Sequence, residues 1–361
     1  TGPGADRLLV SGNNAHRVFN INTGVTATIS GLAIGNGFLS SGAGGGIQNA
    51  GNLTLSSTNV VSNSASQYGG AIYNSGSLTL TSATVMSNTC AGGDGGGVYN
   101  YQGTVLITGT TIVSNTGSSG GGLVNYGTLT VIGSTIVSNT APGFYSGSSL
   151  SGGAGGGILN GSGVTLTLTN ATLINNTAAK TGGGLYNMSK ATVTNSTLAD
   201  NAAGTSGGGI YNTSLLTLTQ SSLAGNRGGG LRSTGTLSVT NTLIGNSLVL
   251  SDCTNSGTIA VNTRNLVEDG SCSPALTGDP VVGAVGAMVT GDANARMVAA
   301  LQPVKLAAIE ALAVTPDGPA DLSVIGWPRA AEGQDAAGIA IPGGLSMLVF
   351  REVPPRTNLP G

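Results

Sequence analysis

The chain has 361 residues but only 12 Lys+Arg and 14 Asp+Glu, where roughly a quarter of an ordinary domain is charged. Glycine supplies 63 residues and aromatics 4%, a composition that excludes an ordinary globular enzyme. A net charge of −2 gives no electrostatic footprint for nucleic acid, and no apolar run reaches the ~18 residues of a membrane helix. Neither a nucleic-acid partner nor a membrane span is expected.

Residues 18–179 contain one carboxylate, Asp94, and no Lys, Arg or His. Gly, Ser, Thr and Asn at this density also suit a disordered linker, but linkers lack regularly spaced Ile, Val and Leu. Here the apolar residues are spaced, and the period is the dominant signal. A glycine cluster, an apolar residue, a variable residue and usually Asn recur at Gly45–Asn49, Gly70–Asn74, Gly96–Asn100, Gly121–Asn125, Gly156–Asn160, Gly183–Asn187 and Gly208–Asn212, with a worn copy at Gly229–Ser233. The apolar positions 47, 72, 98, 123, 158, 185, 210 and 231 lie 25, 26, 25, 35, 27, 25 and 21 apart.

Within each unit an alternating stretch follows, such as Leu53-Thr54-Leu55 or Leu78-Thr79-Leu80. A third piece ends in Asn, as in Val60–Asn63, Val85–Asn88, Ile112–Asn115 and Ile136–Asn139. Three short period-2 segments bounded by Gly or Asn predict one coil of a three-sided solenoid: an all-β, right-handed, single-stranded parallel β-helix of ~25 residues per coil. Gly and Asn are expected at corners because corners need positive φ. The long interval, with Gly143–Ser148, predicts a loop protruding from one corner. In-register stacking also accounts for the missing charge, since a charge repeated every coil would face its own copy.

Proline marks the boundary: ten of the 12 lie after residue 273. Residues 1–284 read as solenoid, clearest over 31–246, and 285–361 as a C-terminal capping segment and extended tail, with short helices expected near 293–301 and 306–313. The N-terminus shows no comparable cap. The chain starts within the pattern and without a signal peptide, which predicts a processed secreted product.

The glycine–apolar–Asn pattern resembles the repeat of the polymorphic outer-membrane protein family, with Val, Ile or Leu in place of a frequent Phe. Gly2–Asp6, Ser11–Asn14, Val18–Asn20 and Ile29–Leu32 resemble the early coils of secreted bacterial β-helix proteins of the choice-of-anchor type. Asn265-Leu266 between Cys253 and Cys272, then Gly278–Pro280, Ala300–Pro303, Ala308–Ala311 and Gly326–Arg329, match that group's C-terminal segments. The resemblance implies a parallel β-helix on a bacterial surface, a Cys253–Cys272 disulfide and hence an oxidising exterior. It departs from the group in lacking a second cysteine pair and a sorting signal after residue 340.

Chemistry-bearing residues are sparse. Catalysis of the Ser-His-Asp kind needs a base, and His16, the one histidine, lies outside the main repeats. Glycoside hydrolysis needs two placed carboxylates, and the long stretch offers only Asp94. Asp200, Arg227 and Arg232 could approach through stacking, as a local ion pair. Asp252, Glu268, Asp269 and Asp279 form the one acidic concentration, read as solvated carboxylates before a calcium site. Cys90 reads as a half-buried thiol. No cofactor or metal is expected.

Two surface ladders remain. The column Gln48, Tyr73, Tyr99, Val124, Leu159, Tyr186, Tyr211, Arg232 is expected to point outward, its rings stacking coil to coil or on sugars. Thr54, Thr79, Thr167, Thr192 and Thr217, with a parallel row two residues on, lie on a flat face; Leu106 and Ile132 interrupt the rows. The expectation is a non-catalytic extracellular structural or adhesive surface protein, with self-association head to tail into a filament, or cell-surface and matrix glycans or proteins, as partners. A carbohydrate-binding or polysaccharide-lyase-like β-helix is the alternative, and an ice-binding surface the third.

Overall fold

The computed structural model describes residues 1–146, 149–272 and 276, and the backbone of 322–323, 334–341 and 345–352. Among these residues there is no helix. The repeats wind into a parallel β-helix whose walls are sheets of 18, 11 and seven strands, each strand paired with its copy one coil away. Each coil runs through a three-residue strand (Ile72–Asn74), a five-residue strand (Ser77–Thr81) and a second three-residue strand (Thr84–Met86). The first two share the large sheet, and in two coils they fuse into Val98–Thr108 and Leu123–Ile132. A fourth, two-residue pairing such as Thr89–Cys90 forms the narrow sheet, a feature the alternation does not signal because two residues have no period.

Register is strict. Leu53, Leu78, Val105, Leu129, Leu166, Ala191, Leu216 and Leu237 lie one above another. So do Val60, Val85, Ile112, Ile136, Leu173, Leu198, Leu223 and Ile244 on the opposite wall. These columns fill the bore and are essentially solvent-free. Each full burial of such a side chain contributes about 1.5–3 kcal/mol, so the bore carries most of the stability.

The corners correct one expectation. The Asn residues that end the short strands are not the positive-φ residues. At one corner the left-handed residue is the one before Asn: Ser62, Ser87, Ser114, Ser138, Asn175 and Asp200, with φ of 52–55°. The Asn residues point inward, wholly buried, as two hydrogen-bonded ladders. In one, Asn49, Asn74, Asn100, Asn125, Asn160, Asn187 and Asn212 each donate Nδ2 to the next coil, with Asn-to-Asn distances of 2.7–2.9 Å; Ser233 Oγ accepts the last. In the other, Asn63, Asn88, Asn115, Asn139, Asn176 and Asn201 each donate to the next Asn, ending at Asn226. The same amides bond backbone: Asn115 Nδ2 donates to Val85 O at 3.0 Å, and its Oδ1 accepts the Asn88 N–H at 3.0 Å. An inward polar side chain survives there because every site is occupied.

At the opposite corner one glycine per coil does need positive φ. Gly182 has φ of 66°, and a Cβ there would lie 2.6 Å from Leu185 O and 2.7 Å from Tyr186 Cβ.

Among the extra residues of the long interval, Phe144–Ser146 pairs antiparallel with Ser149–Ser151. Lys180 Nζ donates to Leu150 O. In the C-terminal segment the backbone of Leu322–Ser323, Gln334–Ile341 and Leu345–Glu352 pairs antiparallel. The helices expected near 293–301 and 306–313 lie outside the described residues.

Asn115→Ala removes the side-chain partner of the Asn88 N–H and of Val85 O and breaks the ladder between Asn88 and Asn139, and is expected to cost about 3 kcal/mol in denaturant unfolding. Gly182→Ala combines strain with backbone overlap and is expected to cost about 2 kcal/mol, read as a lowered Tm with an unchanged circular dichroism spectrum.

Candidate functional site

The five-residue strands build the broadest regular surface. Their inward positions are aliphatic, so alternation forces the other three positions outward. Thr54, Thr79, Thr167, Thr192 and Thr217 lie in one column with Thr28, Leu106, Thr130 and Ser238. A second column runs from Ser30 through Ser56, Thr81, Thr108, Ile132, Thr169, Thr194 and Thr219 to Thr240. A third starts at Thr26 and includes Asn52, Ser77, Thr104, Thr128, Thr165, Lys190, Leu215 and Thr236. Lys190 is the one charged residue in the three. Leu106 and Ile132 each break one column and are each 37% exposed.

The tyrosine column faces outward, but its middle is covered. Tyr99, Val124 and Leu159 are buried in a second apolar cluster outside the bore, against which Tyr73, Tyr126, Ala154, Tyr186 and Met188 pack. The column does face away from the bore, but the corner glycines fold back over it: a Cβ on Gly120 would overlap Val124 Cγ2 at 2.2 Å. The rings also occupy one another. Tyr73 lies 5.7 Å from Tyr99 at 9° between planes and 6.1 Å from Tyr101 at 22°. Tyr68 and Tyr126 meet Tyr99 at 4.6 and 5.8 Å, both tilted by 42°. Farther along, Tyr186 meets Tyr211 at 5.4 Å, and the Arg232 guanidinium sits 5.9 Å over the Tyr211 ring.

Sequence reasoning missed Asp94 as part of this cluster. It forms a parallel bridge with Tyr68 one coil away, and its Oδ1 accepts the Ser119 N–H at 2.9 Å. The signal was present, because Asp94 and Tyr68 each precede a glycine corner by the same offset. Burial raises the Asp94 pKa. Tyr99 and Tyr126 are raised chiefly by burial, and also by the Asp94 charge among neighbouring groups. The Cys90 thiol, in the narrow column of small residues with Ala65 and Gly117, is pushed up to about 12 by burial, which makes it inert.

Charges at the solenoid's two ends cap backbone. Arg17 donates Nε to Gly44 O at 3.0 Å and Nη2 to Ala43 O at 2.9 Å, carbonyls that in later coils accept from the preceding coil. At the other end carboxylates take N–H groups. Glu268 Oε2 accepts from Asn246 at 2.6 Å, Asp252 Oδ1 from Ser247 at 2.8 Å, and Asp269 Oδ2 from Asp252 at 3.0 Å. These acids cap backbone, Asp252 from a buried position, Glu268 half-buried and Asp269 exposed to solvent; Asp279 lies outside the described residues. No group of three or more metal-ligating residues occurs among the described residues. Cys253 and Cys272 are paired as a disulfide, Cα–Cα 4.9 Å. The ion pair expected among Asp200, Arg227 and Arg232 is replaced by Arg232 on Tyr211, and among the described residues the one ion pair is Arg7–Asp6 at 4.0 Å. His16 is exposed.

A family model described as cytochrome bd terminal oxidase subunit I matches residues 271–360, 90 of 361 residues and nearly all beyond the solenoid. No curated protein and no solved structure matches the chain. Among the described residues no helix is long and apolar enough to cross a membrane.

Because burial raises the Asp94 pKa, its carboxylate opposes folding at neutral pH, and the penalty fades as pH falls through the raised pKa. Asp94→Asn keeps the acceptor for Ser119, so its Tm is expected above wild type at pH 7, with the difference closing toward pH 4.

Proposed function

We propose that this chain is a non-catalytic structural and adhesive rod of a cell exterior, whose contacts run along the face of the five-residue strands. The observation that carries this reading is the in-register, almost uncharged hydroxyl surface, three columns wide and nine coils long. Such a face is rigid and has no long-range electrostatic selection, so it suits broad contact with a neighbouring surface and offers no cleft for a reacting substrate. The disulfide supports an oxidising compartment. End-to-end joining of rods into a filament is the sharper form of the proposal.

Thr79→Lys, Thr167→Lys and Thr192→Lys together are expected to leave Tm within a few degrees and to lower retention on cell-wall or matrix-coated surfaces by at least tenfold. Unchanged retention overturns the adhesive face. Electron microscopy of concentrated protein showing only single rods overturns the filament.

The regular hydroxyl spacing favours an ordered ligand lattice as a second reading, a polysaccharide or ice. A glycan array and thermal hysteresis, each repeated with the triple variant, separate these from protein adhesion.

A further inference from the structure

Five of the eight tyrosines, Tyr68, Tyr73, Tyr99, Tyr101 and Tyr126, come from three successive coils and touch in one continuous cluster. The carboxylate of Asp94, the one ionisable carboxylate between residues 18 and 179, stands beside it, directly over Tyr68 in the corner column. No Lys, Arg or His lies in that stretch, and Asp94 makes no ion pair within 4.0 Å among the described residues.

This placement has a cost that the fold does not require. The structural task of Asp94 is to accept the N–H and the hydroxyl of Ser119, and a neutral Asn oxygen would serve that task without burying charge. A partly buried, unpaired carboxylate among electron-rich rings makes a locally negative site. Tyr68 and Tyr101, 41% and 44% exposed, leave the cluster open to solvent.

We propose that Asp94 with Tyr68, Tyr73, Tyr99, Tyr101 and Tyr126 forms a receptor for an alkylammonium headgroup. The carboxylate supplies the counter-charge, and the outer rings supply faces for the N-methyl or methylene groups. A neutral sugar fits less well. It needs a flat open ring face, whereas Tyr73 and Tyr99 lie parallel and cover each other, and the pairs Tyr68–Tyr99 and Tyr99–Tyr126 are inclined by 42°, an uneven wall suited to a rounded group. The site stands independently of the adhesive reading, since none of its residues belongs to the threonine columns.

Isothermal titration of the full chain tests it with choline, with Nα-acetyl-lysine methylamide, with the uncharged choline isostere 3,3-dimethylbutan-1-ol, and with cellobiose. Binding of choline or the lysine derivative at least tenfold tighter than the isostere, weakened about tenfold by Asp94→Asn and by Tyr68→Ala, is the expected result. Preference for choline assigns a free quaternary ammonium ligand, and preference for the lysine derivative a protein side chain; either supports the site. Absence of binding by both cations overturns it, as does equal binding of the isostere or cellobiose, or unchanged affinity in Asp94→Asn. The Tm of each variant confirms that the tested protein is folded.

Discussion

In a parallel coil of fixed register every side chain lies about 4.8 Å from its own copy above and below, and the rest of this structure follows from that self-encounter. A residue type is admissible in the wall only if it tolerates itself as a neighbour. Leu, Ile and Val do so by packing, Thr by alternating hydroxyl and methyl, and Asn by donating with one end of its amide and accepting with the other. Asp, Glu, Lys and Arg do not, because like charges repeated along a column repel. The same rule places Arg17 and the carboxylates of residues 252, 268 and 269 at the ends. There the stack stops, and backbone groups lack the partner that a further coil would bring.

Much of this was legible in the chain. The 25-residue period located the bore, because the positions of Leu53, Leu78 and Leu129 repeat without exception as apolar. The hydroxyl columns followed from alternation alone. The Asn positions were legible as a pattern but not as a role: in sequence, an Asn at a corner looks the same whether it supplies a left-handed backbone or an inward amide, and only the preceding Ser62, Ser87 or Ser114 with φ near 52–54° separates the two. The burial of Tyr99, Val124 and Leu159 within an outward-facing column was hidden for a related reason. Alternation tells which residues leave the bore, and it cannot tell that the glycine corner four residues earlier folds back over Val124 and Tyr99.

Asp94 shows where composition and geometry meet. Counted along the sequence it is a lone charge in a neutral stretch; placed in the coil it is a charge beside a glycine corner and the rings of Tyr99 and Tyr126, one coil from Tyr68. A wall that largely excludes charge has admitted one at the point where aromatic side chains are densest.

Both Asn ladders run in the same sense, each Nδ2 donating toward the C-terminal end. The bonds from Asn88 Nδ2 to Val60 O and from Asn115 Nδ2 to Val85 O fix that sense, since a carbonyl can only accept. Two chains of aligned amide dipoles therefore run from Asn49 to Ser233 and from Asn63 to Asn226, their first oxygens accepting the Gly51 and Gly37 N–H groups and the last amide of the second donating to Leu198 O. The guanidinium at one end and carboxylates at the other complement this polarity. The amide columns are thus polar threads inside a near-neutral wall, and the charge of opposite sign at each end opposes their dipole, so the polarity stays internal to the rod.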